Sequence, residues 1–171
     1  MNNHRIDREN VILVPGNHDM KFADETGSFI DYTKPECKQG YENLYKEIYG
    51  LEPNQFCAIG RKFLLKNKLP IEVVGLNSCC LQQEYKHFAG MGFVGEEQLK
   101  MVENGMGWTD PDPKSRGYSY RILVLHHHLF PVERTQEPQK DYSYSTCLDA
   151  GLISSFIEKH KINLVIHGHK H

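Results

Sequence analysis

No apolar run in this chain of 171 residues approaches the ~20 needed to cross a bilayer. The opening stretch, Met1-Asn2-Asn3-His4-Arg5, is polar where a secretory signal would be apolar. Neither a basic stripe nor an acidic tail is present, since 20 Lys and Arg stand against 22 Asp and Glu for a formal net charge of −2. Broad electrostatic binding to nucleic acid or to a membrane surface is therefore not indicated. The five cysteines are odd in number and no C-x-x-C occurs. That argues against a disulfide framework or a zinc knuckle, and it fits a reducing, cytoplasmic compartment. Internal repeats and low-complexity segments are missing too. Hydrophobic residues at 39% and charged residues at 25% describe one ordinary globular domain, residues 1–171, able to bury a core.

Histidine is what the chain has in excess. Seven of its ten histidines lie between His126 and His171, and most follow apolar runs directly. Ile122-Leu123-Val124-Leu125 leads into His126-His127-His128, and Leu164-Val165-Ile166 leads into His167-Gly168-His169-Lys170-His171. Near the other end, Val11-Ile12-Leu13-Val14-Pro15 releases Gly16-Asn17-His18-Asp19. That turn offers an amide oxygen, an imidazole and a carboxylate, a set able to hold a metal, donate a proton and orient the donor.

Apolar periodicity predicts the elements between these clusters. It gives a buried strand over 11–15 and a helix over 41–50, with Tyr41, Leu44, Tyr45 and Ile48 on one face and Gly50 as C-cap. Strands follow over 56–59, 62–65 and 71–76, with Gly60-Arg61 as a turn between the first two. A helix over 95–104 carries acids in its first turn, which suits its dipole. A strand over 122–125 precedes a helix over 148–160 with Leu148, Leu152, Ile153, Phe156 and Ile157 inward, and a strand over 162–166 closes the series. Residues 20–40, 82–94, 105–119 and 131–146 read as irregular or loop segments, the last long enough to line a site. Strands alternating with helices, and polar clusters recurring at strand ends, predict a layered α/β domain with its site at the carboxyl ends of the strands.

Imidazole and amide oxygen are ligands for borderline to hard divalent ions such as zinc, manganese, iron or nickel. Alternate residues point the same way in an extended chain, so His169 and His171 are placed to serve two adjacent ions. A pair of ions roughly 3.5–4 Å apart suits in-line displacement at phosphorus. Against these candidates, His4, His87 and His160 read as surface residues and His128 as a loop residue. His167 reads as a structural neighbour of the ligands, and Cys79-Cys80 as strand-end packing.

Val14-Pro15-Gly16-Asn17-His18-Asp19, Leu125-His126-His127 and Gly168-His169-Lys170-His171 resemble three signature blocks of the calcineurin-like metallophosphoesterase superfamily, in the family's order. The resemblance extends to Gly75-Leu76-Asn77-Ser78 and to the Gly95-Glu96-Glu97-Gln98-Leu99 helix, and so covers nearly all of the chain. It implies an α/β, layered metallophosphoesterase-type β-sandwich flanked by helices. It also implies hydrolysis of a phosphomonoester or phosphodiester by a dinuclear centre of two divalent ions. Asn17, His126 and His169 would bind one ion and His171 the other, with His126 preferred to His127. His18 would contact the phosphate and protonate or stabilise the leaving oxygen, and Asp19 would hold the His18 ring.

The family's Asp-x-His and Gly-Asp-x-x-Asp blocks are not found in the sequence. In the family both precede the Asn-His-Asp turn, and the chain stops on His171, where the family adds further strands. The expectation is therefore an interior piece, incomplete at both ends. One ion would keep three ligands, the other only His171, and a sheet edge would be exposed. The chain alone is then expected to have little activity. The alternative expectation is a non-catalytic metal-binding or protein-interaction module that kept the fold and lost the dinuclear site.

Overall fold

Among the described residues four strands align in one mixed sheet in the order β1-β2-β3-β4: Ile59–Leu64, Pro70–Gly75, Tyr120–Leu125 and Leu164–His167. In this computed structural model the described residues are 7–21, 26, 35–65, 67–80, 91–109, 118–131 and 145–169. β1 and β2 form an antiparallel hairpin, and β3 and β4 then add in parallel. Parallel neighbours need crossover connections. Those between β2 and β3 and between β3 and β4 contain the helices α2 (Glu96–Gly105) and α3 (Ala150–His160). A third helix, α1 (Pro35–Tyr49), precedes the sheet. The result is the α/β arrangement that the sequence predicts, and it is consistent with the metallophosphoesterase fold that the resemblance implies. No helix among the described residues is long and apolar enough to cross a membrane.

The main core forms where β2 and β3 meet α2 and α3. Val74, Leu76, Leu123, Leu125, Ile153 and Trp108 are all but inaccessible to solvent. A second cluster, Tyr41, Tyr45, Cys57 and Ile59, joins α1 to the start of β1, and Ile12 and Leu13 pack on it. Near the amino end of β3 the core admits an ion pair, Glu72 with Arg121. Glu72 Oε2 accepts from Arg121 Nε at 2.8 Å, Ser119 Oγ at 2.8 Å and Trp108 Nε1 at 3.0 Å. A carboxylate can be buried there because donors surround it.

Several elements differ from the sequence expectation. The stretch 11–15 is not a strand. A strand needs a partner ladder, and here the Leu13 N–H donates instead to Tyr49 Oη at 2.8 Å. α1 begins at Pro35 rather than residue 41, with proline at a first helical position that needs no N–H donor. Leu44 on its expected inner face is exposed. The expected strands 56–59 and 62–65 are one strand, in which Gly60 and Arg61 pair with Val74 and Val73.

Gly60 makes no turn, and its missing side chain makes room for Met106. An added Cβ there would lie 2.4 Å from Met106 Sδ. The bend falls earlier, at Cys57 with φ 57°, where the Asn54 side chain bonds the backbone of Phe56 and Ala58.

The inward face of the last helix is also different. Leu148 precedes α3 and is exposed, as is Leu152, while Ile153, Phe156 and His160 form the buried stripe. His160 is therefore no surface residue. Its ring packs on Phe156 at 4.5 Å and Trp108 at 5.1 Å between centroids, with Nε2 3.5 Å from Glu103 Oε1. An imidazole one helical turn beyond Phe156 extends the apolar stripe and puts its polar edge on a carboxylate.

Candidate metal centre

The turn after residue 15 closes on itself. Asp19 N–H donates to Gly16 O at 3.0 Å, and Gly16 N–H donates to Asp19 Oδ2 at 2.8 Å. These two bonds wind Asn17–Asp19 into a single 3-10 turn. They also fix the direction in which Asn17 projects, toward the carboxyl end of β3. His18 and Asp19 remain exposed beside it, while Gly16 is buried.

The ends of β3 and β4 are tied by Gly168 N–H donating to His126 O at 3.1 Å. His169 follows with φ 81°, a left-handed conformation that costs a non-glycine residue on the order of 1–3 kcal/mol. That backbone turn accompanies a ring folded back onto the end of β3. His169 Nδ1 lies 2.7 Å from His126 Nε2, which in turn lies 2.9 Å from Asn17 Oδ1. Amide oxygen only accepts, so a neutral His126 bearing its proton on Nε2 presents that proton to both Asn17 Oδ1 and His169 Nδ1. That one proton then faces lone pairs on both Asn17 and His169, where a divalent cation would be the stronger electrophile. Burial pushes the His126 imidazole below its ordinary pKa, which favours the neutral, ligating form.

His127 stands beneath this group and is buried. One ring nitrogen each from His126, His127 and His169 lie within 4.8 Å of one another. The ring of His127 stands 4.9 Å from that of His126 and 4.8 Å from that of His169. Its Nδ1 is 2.8 Å from Ser78 Oγ, and the backbone N–H of His127 donates to the same oxygen at 3.1 Å. The preference for His126 over His127 thus ranks two residues that the fold brings together. The signal for Ser78 was the polar Asn77-Ser78 pair at the end of β2. Asn77 itself takes up structural bonds with Gln98, Phe56 and Cys79.

His128 is buried rather than looped out, in a bridge with Thr146, and its ring meets His167 at 4.2 Å between centroids. Among the sequence candidates, Asn17, His126 and His169 converge, and His18 and Asp19 border them. His171 lies outside the described residues, as do His4, His87 and most of 131–146. Cys79 and Cys80 are buried packing, the Cys79 thiol donating to Pro15 O at 3.4 Å.

Imidazole nitrogens at the carboxyl ends of two parallel strands and an amide oxygen from the adjoining turn fit a borderline divalent ion. The family model of the calcineurin-like phosphoesterases matches residues 2–171, and the chain belongs to that family. Its members are, in general, metal-dependent hydrolases of phosphate esters. No curated protein and no solved structure gives a match.

Proposed function

We propose that Asn17, His126 and His169 hold one divalent ion of a centre that hydrolyses a phosphomonoester or phosphodiester, and that His171 serves a second. The observation that carries this reading is the meeting of Asn17 Oδ1 and His169 Nδ1 on His126 Nε2, at 2.9 and 2.7 Å. When bound, divalent ions such as zinc, manganese, iron or nickel supply a water of lowered pKa and neutralise charge on the phosphate. His18, exposed at the rim, contacts the phosphate and delivers a proton to the departing oxygen. Asp19, one residue on, positions the His18 ring while its Oδ2 holds the Gly16 N–H.

The 171 residues contain no Asp-x-His and no Gly-Asp-x-x-Asp to complete the second ion's ligands. Two neighbouring cations without a bridging carboxylate repel each other with little compensation. The chain by itself therefore holds one ion and has little or no activity, and carboxylates from outside this sequence complete the centre. Buried cysteines that form no disulfide support a reducing, cytoplasmic setting.

Zinc or manganese binding by the purified chain, with bis-p-nitrophenyl phosphate hydrolysis measured on the same sample, tests this. Expected is binding that weakens on Asn17→Ala, His126→Ala or His169→Ala, with hydrolysis near background. Binding indifferent to all three changes would sink the ligand assignment, and rapid hydrolysis would sink the need for outside carboxylates.

A further inference from the structure

We infer that His127 is a third imidazole ligand of the ion held at Asn17, His126 and His169, and that Ser78 sets the ring tautomer this requires. The inference rests on the metal reading above and adds two residues to it.

His127 is 1% exposed, and its ring is clamped from two sides. Ser78 Oγ lies at its Nδ1, 2.8 Å away. Behind it, a Cβ on Gly92 would come within 2.6 Å of His127 Cβ and Cγ, so only glycine lets the ring sit this deep. With Nδ1 on Ser78 Oγ, Nε2 is the nitrogen that ligation by His127 would use. A serine hydroxyl can meet Nδ1 in either sense, by accepting Nδ1–H or by donating to a bare Nδ1. In the first sense Nε2 carries a lone pair. In the second it presents an N–H, which no cation can use. Metal-ligating histidines generally give their other N–H to an oxygen, and that partner fixes the ring and raises its basicity. Ser78 is placed as such a partner, at the end of β2, next to the strand that carries His127.

The dimensions suit a small ion. Bonds of about 2.0–2.1 Å in tetrahedral array put donor atoms roughly 3.3 Å apart. The cluster spans from 2.7 Å, between His126 and His169, to at most 4.8 Å. Small ring rotations in both senses bring these separations together. Asn17 and three imidazoles would make a four-donor set for a single ion without any contribution from His171, and the water of the proposed reaction would need a fifth position.

The test is nitrogen NMR on the intact chain labelled with 15N-histidine and titrated with zinc. The expected result is that His126, His127 and His169 shift together at one equivalent, with His127 protonated on Nδ1 and metal-shifted at Nε2. If His126 and His169 shift while His127 does not, the inference is overturned and the metal reading stands. If none of the three shifts, the metal reading fails and takes the inference with it. Ser78→Ala supplies a second arm that removes only a hydroxyl. It is expected to lower zinc affinity about 10–100-fold, and unchanged affinity in that variant contradicts the role given to Ser78.

Discussion

Gly16 and His126, far apart in the chain, come so close that a Cβ on Gly16 would lie 2.9 Å from His126 Cε1 and 3.1 Å from Nδ1. The turn that presents Asn17 can approach β3 only because residue 16 has no side chain. Sequence, packing and site meet in this one contact.

Gly16→Ala is therefore expected to push the His126 ring away from Asn17 and His169. Overpacking of a fitted site costs roughly 1–3 kcal/mol. Displacing a ligand's support typically costs 10–100-fold in metal affinity. Calorimetric titration with zinc, beside a thermal melt, measures both. An unchanged dissociation constant would mean that the turn is free to move away from β3.

The second prediction concerns Glu72 at the other end of the sheet. Burial pushes its carboxyl up, but bonds from Arg121, Ser119 and Trp108 outweigh burial and leave the pKa lowered. A carboxyl whose folded pKa is depressed contributes stability that is present above its ordinary value of 4.5. That contribution is lost as pH falls through the lowered folded value. Glu72→Gln strips Arg121 of its buried partner, a change that costs roughly 3–5 kcal/mol in such settings. Urea unfolding between pH 3 and 7 should show the variant less stable near neutrality, with the difference narrowing in acid. A constant difference across that range would contradict the assignment.

The thiols give a third test. Burial pushes Cys57 up to about 11, and Cys80 and Cys147 up to about 12, so little thiolate exists near neutral pH. None of the five cysteines is in a disulfide and all are buried. Ellman's reagent at pH 8 should find none in the folded chain and all in denaturant. Rapid labelling of a folded thiol would show that the packing around it opens.

Much of this was legible in the sequence, for identifiable reasons. β2, β3, β4, α2 and α3 announce themselves through apolar runs and helical spacing, and Asn17, His126 and His169 through their places after such runs. What stayed hidden depends on tertiary partners. Gly60-Arg61 has turn composition, yet the space that Met106 fills decides for a continuous strand. His160 reads as a polar helix end until Trp108, Phe156 and Glu103 are packed around it. His127 and Ser78 are distant in the chain, and only the parallel pairing of β2 and β3 joins them. Residues 11–14 have a strand's composition but no ladder, a matter of neighbours rather than of pattern.

The most direct measurement of the central claim is metal content at equilibrium. The chain is dialysed against excess zinc, the free ion is removed, and bound metal is counted per protein. The account predicts one ion per chain, falling toward none in His126→Ala. Two tightly held ions, or none in the unaltered chain, would contradict it.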